Sequence, residues 1–387
     1  MKLNTHDHRL HAGRFLPRFV RDYVDGGAED ERCLQRNIDD LARLHLVPGV
    51  LRDTRRADTG ITLFGQRWAM PAGIAPIGLS GLVRPEGDLL MARAAAAAGV
   101  PFVLSTASNA RLEAVRAAAL ERNPQAVQWM QLYVMSDRTI AEQIVRRARH
   151  AGYSALVLTV DVAVSGMRER DVRNGFKLPF RLTPSTLMDL ALHPGWSLRM
   201  ARKGPPSFVN LTESTDSGSS AQAQAALLSR SMDRSLAWEH LDWLRRLWDG
   251  PLILKGVLGP ADAERAVQHG IDGIVVSNHG GRQLDASPST ISVLPRIVDA
   301  VGGRIPVLVD SGFRRGSDVV KALAAGATAA FVGRPAVWGM AAGGEAGAQA
   351  VLATLAQEIE RTMILIGADT TADISAQQLL APSSSSA

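Results

Sequence analysis

The chain has 387 residues, 46% apolar and 21% charged, a balance that excludes disorder for its bulk and allows one large α/β barrel or two ordinary domains. Its 43 Lys and Arg exceed its 38 Asp and Glu by 5, a mild excess that suits an anionic ligand or surface. No basic stripe interleaved with aromatics is present, which excludes nucleic acid as an expected partner.

The N-terminal stretch MKLNTHDHRLHAGRF lacks the apolar core of a secretory signal. No run of about 18 apolar residues that would cross a bilayer occurs. The lone cysteine, Cys33, excludes an intrachain disulfide and a thiolate metal cluster. His6, His8 and His11 lie in this N-terminal arm without metal spacing, so no metal is expected.

From residue 72 onward, short β-type runs alternate with alanine-rich helical stretches. The runs are 72–75, 101–104, 127–133, 155–160, 252–255, 273–276, 307–309 and 329–332. Helical patterns include 87–98, 140–150, 261–269 and 317–325. Eight such alternations predict a (β/α)8 TIM barrel, with an N-terminal helical segment ahead of it. The gap from 161 to 252 is too long for one loop and one helix. It predicts an insertion, 177–232, after strand four, at the C-terminal face where barrel active sites sit. Within it, 213–224 is polar and expected to be mobile, and 238–248 reads as a helix leading into strand five. The whole of 1–387 is expected to be one domain, with a disordered tail, PSSSSA, at 382–387.

Nearly every expected strand tip carries polar groups: Ser105, Gln131 and Tyr133, Thr159 and Asp161, Lys255, Ser277 to Arg282, Asp310 to Arg314, and Gly333 with Arg334. One such residue alone would be a cap or a solvated loop. The tips after strands seven and eight, DSGFR and VGR, combine glycine N–H groups with Arg314 and Arg334, which suits phosphate. After strand six, His279 beside two glycines suits a general base, and Arg282 suits a carboxylate clamp.

The strings SNHGGRQLD at 277–285, LPRFVRDYVDGGAEDE at 16–31, QLYV at 131–134, LTVD at 158–161 and DSGFRRGSDVVKALAAGA at 310–327 resemble the FMN-dependent α-hydroxy acid oxidase and dehydrogenase family. The segments DVAVSGMRERDVRNGFKLP and LHPGWSL look closest to its bacterial mandelate dehydrogenase branch. The resemblance implies FMN and oxidation of an (S)-2-hydroxy acid, mandelate above others, to the 2-oxo acid. A membrane quinone or similar acceptor would take the electrons. An L-lactate dehydrogenase or an oxygen-using oxidase is the alternative.

Carried over residue by residue, the resemblance makes His279 the base and Asp161 its orienting partner. Arg168 and Arg282 hold the substrate carboxylate, Tyr23 donates to it, and Tyr133 sits by the hydroxyl. Lys255 stabilises negative charge on reduced FMN. Ser105, Gln131, Thr159 and Ser277 contact the flavin ring or ribityl chain, with Ala75, Pro76, Ile77 and Gly78 on the flavin face. Asp310, Gly312, Arg314, Gly333 and Arg334 take the ribityl and phosphate. Ser105-Thr106-Ala107 stands where glycolate oxidase-like members carry a tryptophan. Ala107 is therefore expected to widen the substrate pocket for a bulky acid.

The stretch 177–206 carries ten large apolar residues, among them Phe180, Leu182, Leu187, Met188, Leu190, Leu192, Trp196, Leu198 and Met200. Lys177, Arg181, Arg199, Arg202 and Lys203 stand against a single acid, Asp189. Apolar side chains flanked by cations predict docking on an anionic membrane surface, broken by Pro179, Pro184 and Pro194 into pieces too short to span it. The resemblance implies a homotetramer on the cytoplasmic side of the inner membrane. A lid over the barrel is the competing reading of the same segment.

Overall fold

The computed structural model describes residues 2–175, 183–204, 206–211 and 232–380. Eight parallel strands close into a barrel: β1 Ala72–Ile74, β2 Phe102–Leu104, β3 Gln128–Leu132, β4 Ala155–Thr159, β5 Leu252–Val257, β6 Gly273–Val276, β7 Val307–Val309 and β8 Ala329–Val332. Each pairs with the next in chain order, and β8 closes on β1 through Ala330↔Ala72 and Val332↔Ile74. The expected (β/α)8 architecture is what the chain adopts.

The strands are apolar throughout because both of their faces are covered. Val103, Trp129, Val157, Ile253, Val275, Leu308 and Phe331 point inward and fill the barrel. Their neighbours Leu104, Met130, Leu158, Leu254, Ile274 and Val309 point outward against the helices. A hairpin, Ile61–Leu63 with Gln66–Trp68, contributes Trp68, which packs on Trp129 at 5.4 Å and on Phe331 at 6.1 Å. This aromatic plug lies at the end opposite the polar strand tips.

Three helices precede the barrel: α1 Thr5–Phe15, α2 Arg18–Asp25 and α3 Arg32–Arg43. Then come α4 Ser80–Val83, α5 Gly87–Ala97, α6 Leu112–Arg122 and α7 Arg138–His150. The alanine faces of α5 let it pack closely against α6 and the last long helix. Between β4 and β5 lie α8 Glu169–Arg173, α9 Pro184–Leu192, α10 Pro194–Lys203 and α11 Leu241–Leu247. The outer ring continues with α12 Pro260–Gln268, α13 Thr290–Val301, α14 Gly316–Ala324 and α15 Arg334–Leu365, kinked at Gly344. The expectations for 213–224 and for the tail 382–387 lie outside the described residues.

Candidate active site

The strand tips surround a cavity of about 940 Å³. Its chemistry is concentrated in three corners.

The first corner is a histidine pair. His279 follows β6 with a left-handed backbone, φ +59°, a conformation costly for a side chain with a Cβ and found where the surroundings enforce it. Gly281 (φ +74°) completes the turn, and a Cβ there would lie 2.5 Å from the Leu34 backbone nitrogen of α3. His279 Nδ1 lies 3.2 Å from Asp161 Oδ1, and its Nε2 lies 3.4 Å from the Tyr133 hydroxyl. A bulge at Gly256 of β5 makes room for Asp161, because a Cβ at Gly256 would sit 2.7 Å from the Asp161 Cβ. Burial pushes the Asp161 carboxyl up, but His279 and Lys255 prevail and hold it below the usual carboxylate value. Burial, then Asp161, pushes the Tyr133 phenol far up, so it stays protonated. With Asp161 accepting from Nδ1–H, Nε2 is left to face the cavity as a proton acceptor.

The second corner is cationic. Arg282 Nη1 donates to the carbonyls of Tyr23 and Gly26, both at 2.8 Å, and its guanidinium lies 5.1 Å from the Tyr23 ring centre. Arg168 Nη1 is 4.0 Å from Asp171 Oδ2. Burial first, then the Arg168 charge, makes Arg282 less basic than usual. The Tyr23 hydroxyl donates to the Gly78 carbonyl at 3.1 Å, and Ala107 lies across from Gly78. Tyr23, Ala107, Tyr133, Arg168, His279 and Arg282 all line the cavity.

The third corner is larger. Lys255 Nζ donates to Ser277 Oγ at 2.8 Å and pairs with Asp310 at 3.2 Å. Ala75, Pro76, Ile77, Gly78, Ser105, Gly312, Arg314, Gly333 and Arg334 share this wall. Arg334 donates to the carbonyls of Val24, Gly280 and Gly26 at 2.8 to 3.0 Å. Those three bonds use three of its five N–H groups and leave two for an anion. Burial lowers the basicity of Arg314, to about 10, and of Arg334. Gly333, at the N-terminus of α15, has open space where a Cβ would be.

These residues fit a phosphate-bearing flavin. The buried Gln131 Nε2 and Thr159 Oγ1, at the tips of β3 and β4, have no hydrogen-bond partner, a state that costs about 1–3 kcal/mol each unless a ligand relieves it. Arginines and glycines stand at the other end, after β7 and β8, where barrels bind phosphate. The cavity is large enough for such a cofactor and a small acid together.

Not every expected residue faces the cavity. Gln131, Thr159 and Ser277 are buried at the strand tips and are not among the residues that line its open space. Ser277 Oγ accepts from Lys255 and from the His279 N–H. Asp161 stands behind His279. Trp196, expected at a membrane surface, is buried: its Nε1 donates to the Leu82 carbonyl at 3.0 Å and its ring packs edge-on to Phe19 at 5.7 Å. Together with Met200 and Phe208 it lines the cavity, as the lid reading of the insertion expected.

Several supporting residues carry no sequence signal. Asn37 and Asn278 exchange side-chain hydrogen bonds at 2.9 and 2.7 Å and tie α3 to the histidine loop. Gln283 ties the loop after β4 to the same place through Asp161 O and Gly166 N, both at 2.9 Å. Ser311 accepts from the Gly280 N–H at 3.0 Å. Asn278 and Gln283 lie inside the SNHGGRQLD string, whereas nothing marks Asn37.

A TIM barrel with a histidine–aspartate pair, two cavity-facing arginines and a wall of arginines and glycines at its C-terminal rim has the make-up of a cofactor-dependent enzyme. The model of the FMN-dependent dehydrogenase family matches residues 12–381, and the chain belongs to that family, with FMN as its cofactor. It is 47% identical to (S)-mandelate dehydrogenase of Pseudomonas putida over 364 residues, 94% of this chain and 90% of that one. It is 44% identical to L-lactate dehydrogenase of Caulobacter vibrioides over 372 residues, 96% of each chain. Among solved structures, a monotopic membrane protein, (S)-mandelate dehydrogenase, superposes with a TM-score of 0.93 at 45% identity, covering 98% of this chain and 99% of that one. A mandelate oxidase with (S)-4-hydroxymandelic acid gives 0.84 at 38% identity, covering 98% of each chain.

Proposed function

We propose that this FMN-dependent 2-hydroxy acid dehydrogenase oxidises an aromatic (S)-2-hydroxy acid, mandelate above smaller acids, to the 2-oxo acid. The observation that carries the reading is the His279–Asp161 pair at 3.2 Å beside two cavity-facing arginines. Arg168 and Arg282 hold the substrate carboxylate, with Tyr23 beside them. This places the C2 carbon and its hydroxyl under Tyr133 and His279. Nε2 of His279 takes a proton from the substrate, and Asp161 stabilises the resulting imidazolium.

Bound FMN supplies the two-electron acceptor. Lys255 stands on its wall with a positive charge preorganised for negative charge that develops there. Arg314, Arg334, Gly312 and Gly333 hold its phosphate end with Asp310, while Ser105 and the 75–78 loop lie along it. Gln131, Thr159 and Ser277 contact its ring or ribityl chain, which gives the unpartnered Gln131 Nε2 and Thr159 Oγ1 their hydrogen bonds. The substrate side chain sits against Ala107, Leu82, Met200 and Phe208, an apolar wall that suits a phenyl ring.

Among the described residues no helix is long and apolar enough to cross a membrane. Leu187, Met188 and Leu192 of α9 and Leu198 of α10 are exposed, and they support peripheral docking on the cytoplasmic side of the inner membrane. Quinone there would accept the electrons, and the enzyme would assemble as a homotetramer.

The test is anaerobic mixing of the yellow enzyme with a panel of 2-hydroxy acids while following flavin absorbance. Mandelate should reduce it with a higher kcat/KM than lactate or glycolate, and Ala107→Trp should reverse that order. Lactate ahead of mandelate in the parent enzyme would favour the lactate dehydrogenase reading instead.

A further inference from the structure

The carboxylate-binding corner holds a third charged group that the reaction as derived does not use. Asp171, in α8, is 8% exposed and lines the same cavity as Arg168 and Arg282. Its closest cation is Arg168, with Nη1 at 4.0 Å. Burial raises its pKa, and the charges of Arg282 and Arg168 oppose that rise.

A count of buried charges around the cavity gives the group a role. Lys255 is matched by Asp310 at 3.2 Å, and Asp161, 3.2 Å from His279, is matched once that base takes its proton. Arg314 and Arg334 serve the phosphate wall. The remaining pair, Arg168 and Arg282, has Asp171 as the acid that lines the cavity beside it, which leaves the three groups together with one positive charge in surplus. One substrate carboxylate cancels it. Without Asp171 the surplus would be two, and in a desolvated corner an uncompensated charge is costly and draws a second anion.

α8 is tied down around Asp171: the adjacent Arg170 pairs with Glu31 and lies 3.8 Å from Asp22, and Asn174, just past the helix, donates to Asp22 at 2.8 Å. Both acids belong to the N-terminal segment that carries Tyr23.

We propose that Asp171 sets the charge of this corner and thereby makes the enzyme selective for 2-hydroxy monocarboxylates over dicarboxylates. It acts as a positioning residue, through Arg168 and Arg282, and it excludes a second carboxylate by like-charge repulsion. This inference rests on the carboxylate-clamp reading of the two arginines.

The experiment uses FMN-loaded enzyme and the isosteric pair oxalate, a dianion, and oxamate, a monoanion. Each is titrated while the flavin spectrum is followed. In Asp171→Asn, oxalate should gain on oxamate by on the order of tenfold relative to the parent. Adding Arg168→Gln, which restores the charge count, should bring the ratio back. A ratio unchanged within about twofold, or equal weakening of both ligands, would show a structural role and overturn the proposal.

If Asp171→Asn fails to retain FMN, Asp171→Ser should give the same shift. Turnover supplies a second readout. The parent's preference in kcat/KM for (S)-lactate over (S)-malate should fall by on the order of tenfold in the Asp171 variant, and an unchanged preference would sink the proposal. If neither oxamate nor any 2-hydroxy acid perturbs the parent's flavin, the clamp reading itself has failed.

Discussion

The rim that carries His279 and the insertion after β4 are both rich in residues of one kind, but different physics places them. On the rim, charged groups are buried, and each is held by a specific partner: Asp161 for His279, Asp310 for Lys255, backbone carbonyls for Arg334. In the insertion, apolar groups divide between two faces. Trp196 and Met200 of α10 turn inward and close the cavity, while Leu187, Met188 and Leu192 of α9 face outward. Buried charge demands a partner, so its position is restrictive and legible. Apolar content demands only removal from water, which the barrel or a membrane can provide.

The rim breaks with the largest effect. His279→Gln should slow flavin reduction by roughly 10² to 10⁴-fold while FMN stays bound, measured by anaerobic stopped flow. A variant that reduces FMN at the parent rate would remove the base from the mechanism. The insertion's inner face comes next. Trp196→Ala should cost about 3–5 kcal/mol of stability, as a buried tryptophan does, read from denaturant midpoints. Its binding to anionic vesicles should not change. A variant that loses vesicle binding at full stability would return Trp196 to the membrane face.

The outer face gives the converse result. Replacing Leu187, Met188 and Leu192 together by Ser should leave stability within about 0.5 kcal/mol per site. It should lower partition onto anionic vesicles by about 10³-fold or more, since each of the three large apolar side chains contributes about 1.5–3 kcal/mol when fully withdrawn from water. Cosedimentation equal to the parent's would assign the lid role to the whole insertion.

How much of this was legible follows from the same contrast. The barrel strands were visible because doubly buried parallel strands read as continuous apolar runs, and the eight runs fell within two residues of the observed strands. His279, Arg282 and Arg168 were visible through their motif, and the structure brings them to one cavity. Asn37 was not, because its partner Asn278 is chosen by tertiary approach over 241 residues of chain. The burial of Trp196 was misjudged because composition does not say which side of a helix faces the barrel. The spacing of Trp196 and Met200 at i and i+4, on one stripe of α10, was the available signal.

A smaller effect tests the rim's electrostatics. The Asp161 carboxyl is held below its usual value of 3.8. A depressed carboxylate contributes stability that is present above its unfolded pKa and lost as pH falls through the folded one. The parent should therefore lose stability on acidification below about pH 4 more steeply than Asp161→Asn, measured as denaturant midpoints across that range. Equal slopes would mean that His279 and Lys255 do not hold the carboxylate.

The smallest effect compares the two regions by solvent access. Cys33, in α3 under the rim, is fully buried; its backbone N–H donates to Asp285 at 2.8 Å, and burial pushes its thiol up to about 11. Only the thiolate reacts, so Cys33 should be alkylated at neutral pH at least about 10²-fold more slowly than a free thiol. Leu192 of α9 is 70% exposed. A Leu192→Cys variant should therefore show two thiols, one reacting at the rate of a small-molecule thiol and one nearly inert. Anionic vesicles should slow the new thiol while leaving Cys33 as it was. If vesicles leave the new thiol unprotected, α9 does not face lipid, and if Cys33 reacts as fast as the new thiol, the packing of α3 against the histidine loop is looser than its hydrogen bonds imply.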